Sequence, residues 1–136
     1  MPLPRLNPIA LLAGVLSAAT VPAASPAFAI EAKSGVETAV AAFYVIRTDC
    51  TGGGGQRASI RVPPANGTAR LALMPWKVPE GRRCAGMQLK ASVLLYRSRP
   101  GFRGTDTVTV ETIHEQYLED PVSDVYSTDV VSIQVR

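Results

Sequence analysis

The chain is poor in the residues that most often carry chemistry. Its 136 residues hold one histidine, one tryptophan and two cysteines. Side-chain catalysis needs a nucleophile beside a base, or paired carboxylates facing one cleft. His114 has only Glu115 next to it and the other acids are scattered, so the sequence is not read as an enzyme and no catalytic residue is named. A zinc site wants about four ligands, more than Cys50, Cys84 and a distant His114 supply. Neither a metal nor a cofactor is expected. The run Thr51-Gly52-Gly53-Gly54-Gly55 lacks the Lys-Ser/Thr pair and the helix that a phosphate-cradling loop requires, so it reads as a flexible surface loop. A formal net charge of +3 is too small to call for nucleic acid. Membrane helices need about 20 apolar residues, and the run Ile9–Val21 stops short of that.

That short run fits another plan. Arg5 precedes it and Ala27-Phe28-Ala29 follows it, the order of a charged start, an apolar stretch and a small-residue cleavage site. Residues 1–29 are therefore expected to be a signal peptide. Residues 30–136 are expected to be one domain, periplasmic or secreted, with no membrane span left after cleavage. In an oxidising compartment Cys50 and Cys84 are expected to form a structural disulfide, stabilising the fold by about 3–4 kcal/mol through loop closure.

What the chain does have is alternation. Phe43-Tyr44-Val45-Ile46 is β-rich and predicts a strand over Val36–Thr48 that ends near Asp49, although Ala39–Ala42 alone would suit a helix. Arg57–Val62 alternates Ala58, Ile60 and Val62 with Arg57, Ser59 and Arg61, and Pro63-Pro64 ends it. Asn66-Gly67 is a strong turn signal, and it accounts for the sequon Asn66-Gly67-Thr68 without a sugar. Arg70–Met74 resumes a strand. Pro75–Gly86 is a polar excursion carrying Trp76, which reads as an apolar plug beside the disulfide or as a platform for a carbohydrate or partner. Val125–Val135 alternates Val131, Ile133 and Val135 as a closing strand.

Lys90–Glu111 organises the rest. Ser92–Tyr96 and Thr105–Val110 are β-rich, and Pro100-Gly101 and Gly104 break the chain between them, which predicts a hairpin. Period two places Val108 and Val110 on one face and Thr105, Thr107 and Thr109 on the other. Pro100-Gly101 suits a type II turn, Phe102 is expected to fold inward, and Asp106 is placed to accept loop N–H groups. Six to seven short strands and no convincing amphipathic helix predict an all-β antiparallel sandwich, with a small open barrel as the alternative.

Tyr96-x-x-x-Pro100-Gly101-Phe102-x-Gly104-Thr105-Asp106-Thr107-Val108 resembles the signature turn of bacterial cadherin-like, Ig-like repeats. Pro64-Ala65-Asn66-Gly67-Thr68 is similar to the turn before a strand in those repeats, and Val130–Val135 to their closing strand. The three pieces keep the family's order over roughly residues 60–136. Ser98 and Val108 depart from the pattern, and one copy is present. The resemblance implies an Ig-like sandwich and a binding or structural role at the cell envelope, with a protein or an envelope polymer as partner. Downstream, Asp120, Asp124 and Asp129 could ligate calcium as in some cadherin-like proteins, but their spacing is not that of a 12-residue calcium loop.

Charge is uneven along the chain. Arg47–Arg103 holds 11 basic residues against Asp49 and Glu80, whereas Gly104–Arg136 holds seven acids against Arg136. Adjacent strands of opposite sign are expected to pair across a sheet, and a binding face is the alternative. Loops at sandwich ends often carry function, which makes Arg97, Arg99 and Arg103 the candidate contact residues. A protease inhibitor or a polyanion-binding protein is the other reading of this basic loop.

Overall fold

The computed structural model describes residues 30–115 and 124–136, and all their side chains except those of His114, Glu115 and Asp124. The signal-peptide segment 1–29, most of the acidic loop with Asp120, and the side-chain roles considered for His114 and Asp124 lie outside the described residues. Eight strands are present and, among the described residues, no helix: β1 (Ile30–Ala32), β2 (Thr38–Ile46), β3 (Gly53–Gly55), β4 (Arg57–Val62), β5 (Gly67–Lys77), β6 (Gln88–Ser98), β7 (Gly104–Glu115) and β8 (Asp124–Val135). They form two four-stranded sheets, ordered β1-β8-β7-β4 and β3-β2-β6-β5. The main core lies between the sheets and joins Leu94 and Tyr96 of one to Val108, Val110 and Ile133 of the other.

Alternation sets the faces as the pattern predicts. Val108 and Val110 are fully buried while Thr105 and Thr107 are exposed. Val131, Ile133 and Val135 line the inner face of β8 in the same way. The continuous run on β6 behaves differently, because that strand is buried on both faces. Leu94, Tyr96 and Ser98 turn to the main core, and Ala91, Val93 and Leu95 form a second apolar cluster on the other side. Trp76 packs half-buried on this second cluster with Tyr44, Ala42 and Leu89, in keeping with its reading as an apolar plug.

Several expectations are corrected. β1 pairs parallel to β8 in a sandwich expected to be antiparallel, and residues 75–77 end strand β5 rather than open the polar excursion. The predicted hairpin of Lys90–Glu111 is no hairpin. β6 pairs with β2 and β5, whereas β7 pairs with β4 and β8. The turn between them swings the chain from one sheet to the other. The hairpin partner of β7 is β8, in an unbroken register from Gly104↔Val135 to Glu115↔Asp124. The glycine loop is also part strand, since Gly53–Gly55 pairs with Tyr44–Ile46. Backbone groups alone make a ladder, so the free edge of β2 recruits glycines that carry no strand propensity. With the three-residue β1 the count becomes eight rather than six or seven.

All of Thr38–Ile46 is strand, its alanines included. A bulge between Ala39 and Ala41 breaks the alternation there, so that Val40 and Ala41 both join the main core. Cys50 and Cys84 form the expected disulfide, with Cα atoms 5.6 Å apart. It clips the turn after β2 to the excursion between β5 and β6. Both half-cystines have a φ of 59°, in the left-handed region that non-glycine residues rarely occupy.

Candidate functional site

The site is built at the end of the sandwich where β6 leaves one sheet and β7 enters the other. Asp106, 4% exposed, is its organising group. One carboxylate oxygen, Oδ1, accepts the N–H groups of Ala65 at 3.1 Å and Thr107 at 2.9 Å. The other, Oδ2, accepts the N–H of Asn66 at 3.1 Å and the hydroxyl of Tyr96 at 2.8 Å. Four donors on two oxygens satisfy a buried charge that would otherwise be costly. The expectation that Asp106 accepts loop N–H groups holds, but two of the donors come from the turn 40 residues upstream. Burial, and then the bond to Asp106, push the Tyr96 hydroxyl well above the ordinary tyrosine range, so it stays a donor.

The second turn is locked to the first. Arg99 N–H donates to Asn66 O at 2.9 Å, and Phe102 N–H donates to Arg99 O at 3.2 Å. The latter bond spans Pro100-Gly101, and Gly101 has a φ of 82°, which together make the predicted type II turn. Phe102 folds against the main core as expected. Ser98, buried at β6's end, accepts the N–H of Gly35 through Oγ at 2.9 Å and ties in the chain before β2. Gly67 starts β5 so close to β6 that a Cβ there would lie 2.3 Å from Arg97 O and 2.8 Å from Ser98 Cα.

On this frame the three candidate arginines are all exposed, but they are not equivalent. Arg97 lies between inward Tyr96 and Ser98, so alternation turns it outward. Arg99 follows with its guanidinium 5.6 Å from the centroid of the Phe102 ring. Arg97 and Arg99 line one cleft of about 370 Å³, whose opposite wall is Asn66, Gly67 and Thr68. Arg103 is not part of that lining.

Charge is sorted by sheet more than it is paired between strands. The expected pairing across adjacent strands is met by Arg61 of β4 and Glu111 of β7. The other described ion pairs join Arg70 to Glu37 at 2.8 Å and Arg136 to Glu31 at 2.7 Å. Glu37 is held below the usual carboxylate range, chiefly by its hydrogen bond from Arg70 and more weakly by the nearby charge of Arg97. Arg97, Arg99 and Arg103 make no ion pair among the described residues. Asp129 is exposed on β8, and no group of three His, Cys, Asp or Glu residues that could hold a metal is found among the described residues. Comparison with known proteins finds no match: no family model, no curated protein and no solved structure is similar to the chain.

Proposed function

We propose that this chain is an exported, non-catalytic binding module of Ig-like, cadherin-like type, and that it meets its partner with the basic end of the sandwich. Strand order supports the Ig-like reading. Leaving aside the three-residue β3, the strands divide as β1-β8-β7-β4 and β2-β6-β5, with β1 running parallel to β8. This division resembles the two-sheet arrangement of immunoglobulin-type sandwiches. The Cys50–Cys84 disulfide supports export, because such bonds persist in oxidising compartments. A periplasmic or secreted location follows from that reading and from the leader-like segment 1–29.

One observation carries the functional reading: three exposed arginines, without ion-pair partners among the described residues, sit at the end of β6 and on the turn after it, beside a turn that the buried carboxylate of Asp106 holds. Unpaired surface charge on a fixed frame favours recognition over fold stability. Crosslinking capture from the native envelope, read by mass spectrometry, tests it. The protein is expected to capture a discrete partner that is lost when Arg97, Arg99 and Arg103 are all replaced by Glu. A partner retained by that variant would overturn the assignment of the surface, and the absence of any partner would overturn the binding role.

A further inference from the structure

We infer that the cleft between Asn66–Thr68 and Arg97–Pro100 is a carboxylate site, taking an acidic side chain of a peptide partner through the guanidinium groups of Arg97 and Arg99. The inference rests on the binding-module reading above and names the group that is recognised.

Three features of the cleft select this chemistry. Its space, about 370 Å³, admits a side chain or a small ligand and is too small for a folded surface. Its lining combines Ala65, Gly67 and Pro100 with the neutral polar residues Asn66, Thr68 and Ser98, so Arg97 and Arg99 are its only charged residues. Such forks match the planar, two-oxygen geometry of a carboxylate.

The third feature separates a carboxylate from a phosphate. Phosphate cradles are made of free backbone N–H groups converging on the anion. Here most of the loop N–H groups are already engaged. Those of Ala65 and Asn66 donate to Asp106, and that of Arg99 donates to Asn66 O. Counting on from that rung, Thr68 and Arg97 are the next hydrogen-bonded pair of the β5–β6 ladder, the N–H groups of Gly67 and Ser98 point away from this pairing, and Pro100 has no N–H to offer. Beside Arg97, the Glu37–Arg70 pair adds no net charge. The cleft therefore presents two positive charges and no run of successive free N–H groups, which suits a carboxylate better than a phosphate dianion.

The same geometry assigns unequal weight to the three arginines. Arg97 and Arg99 face the cleft, and Arg103 stands outside it. A diffuse basic patch would weigh all three alike.

Titration of ¹⁵N-labelled full-length chain, produced by export into an oxidising compartment, tests the inference. The probes are a capped hexaglutamate peptide, a capped hexaglutamine peptide and inorganic phosphate. Hexaglutamate is expected to shift the amides of residues 66–68 and 97–101 in a saturable way. The response should weaken tenfold or more in Arg97→Gln and in Arg99→Gln, and stay within about twofold in Arg103→Gln. All three side chains are exposed, so spectra outside the cleft should be unchanged and report an intact fold. An equal loss with Arg103→Gln, an equal response to hexaglutamine, tighter binding of phosphate at the same amides, or no response up to about 10 mM would each overturn the carboxylate site. Its failure is distinguishable from that of the binding-module reading. A partner captured by the wild type and by both single cleft variants leaves the module standing and removes only the cleft.

Discussion

The hydroxyl of Tyr96 donates to Oδ2 of Asp106 at 2.8 Å, and this one bond joins the two sheets through the middle of the buried end. Tyr96 belongs to the sheet with β2 and β5, and Asp106 to the sheet with β4 and β8. Because Asp106 also holds the N–H groups of Ala65 and Asn66, the bond links the strand crossing, the upstream turn and the basic cleft in one network.

Truncating this network should be unequal in cost. Tyr96→Phe removes one hydrogen bond to a charged acceptor that keeps three others, and should destabilise by about 1.5–3 kcal/mol. Asp106→Ala leaves a buried hydroxyl and three part-buried N–H groups without this acceptor, and should cost about 3–5 kcal/mol. Urea denaturation measures both. Equal losses would show that the carboxylate's other donors find new partners.

Alkaline pH should expose the Tyr96 bond separately. Its hydroxyl titrates above the ordinary value of 10.0 in the folded state. A raised folded pKa means that the folded chain keeps a proton which the unfolded chain gives up near pH 10. The stabilisation is therefore whole below about pH 10 and falls as pH rises further, by up to about 1.4 kcal/mol per pH unit. Between pH 9 and 11 wild type should lose stability more steeply than Tyr96→Phe. Parallel curves would refute the assignment.

Gly67→Ala should disturb the cleft without touching its charges. The added Cβ would meet Arg97 O and Ser98 Cα, and backbone on both sides must move. A cost of about 1–3 kcal/mol is expected for such overpacking. Amide shifts should concentrate at residues 97–99, and binding through Arg97 should weaken even though both guanidinium groups remain. A neutral effect on stability would mean that the two strands can separate locally.

The disulfide positions allow a comparison of replacements. Both Cys50 and Cys84 have a φ of 59°, where an L side chain costs about 1–2 kcal/mol and glycine costs little. Loss of the bond should destabilise by about 2–4 kcal/mol. The double glycine variant should nevertheless be more stable than the double alanine variant, by about 1 kcal/mol in denaturant. The reverse order would show that these turns relax out of the left-handed region once the bond is gone.

Much of the inner and outer facing of residues was legible beforehand. Val108 and Val110 inward with the threonines outward, the inward Phe102 and the type II turn at Pro100-Gly101 follow from local rules, and the disulfide from there being two cysteines in a chain read as exported. Less of the site could be read that way. Asp106 was legible as an acceptor, since a short acid after a turn is placed for it. That its donors would be Ala65, Asn66 and Tyr96 had no local signal, because they lie up to 41 residues away. Nor did the closeness of Arg97, Arg99 and Arg103 in the chain tell that only the first two share a cleft.

The sequence by itself determined the local terms: an all-β pattern, which residues of each strand face inward, and where the chain must turn. These depend on side-chain period and on the backbone limits of proline and glycine, which act within a few residues. The tertiary structure decided which strands pair. β6 and β7 are neighbours in the chain but lie in different sheets, and the glycine run becomes a strand only because β2 offers it an edge. Ladder hydrogen bonds are made by backbone groups common to all residues, so their partners are selected by the fit of whole sheets around one core. The basic cleft is a product of that choice, since Asn66 and Arg99 meet as the rung beyond Gly67↔Ser98 where β5 and β6 pair.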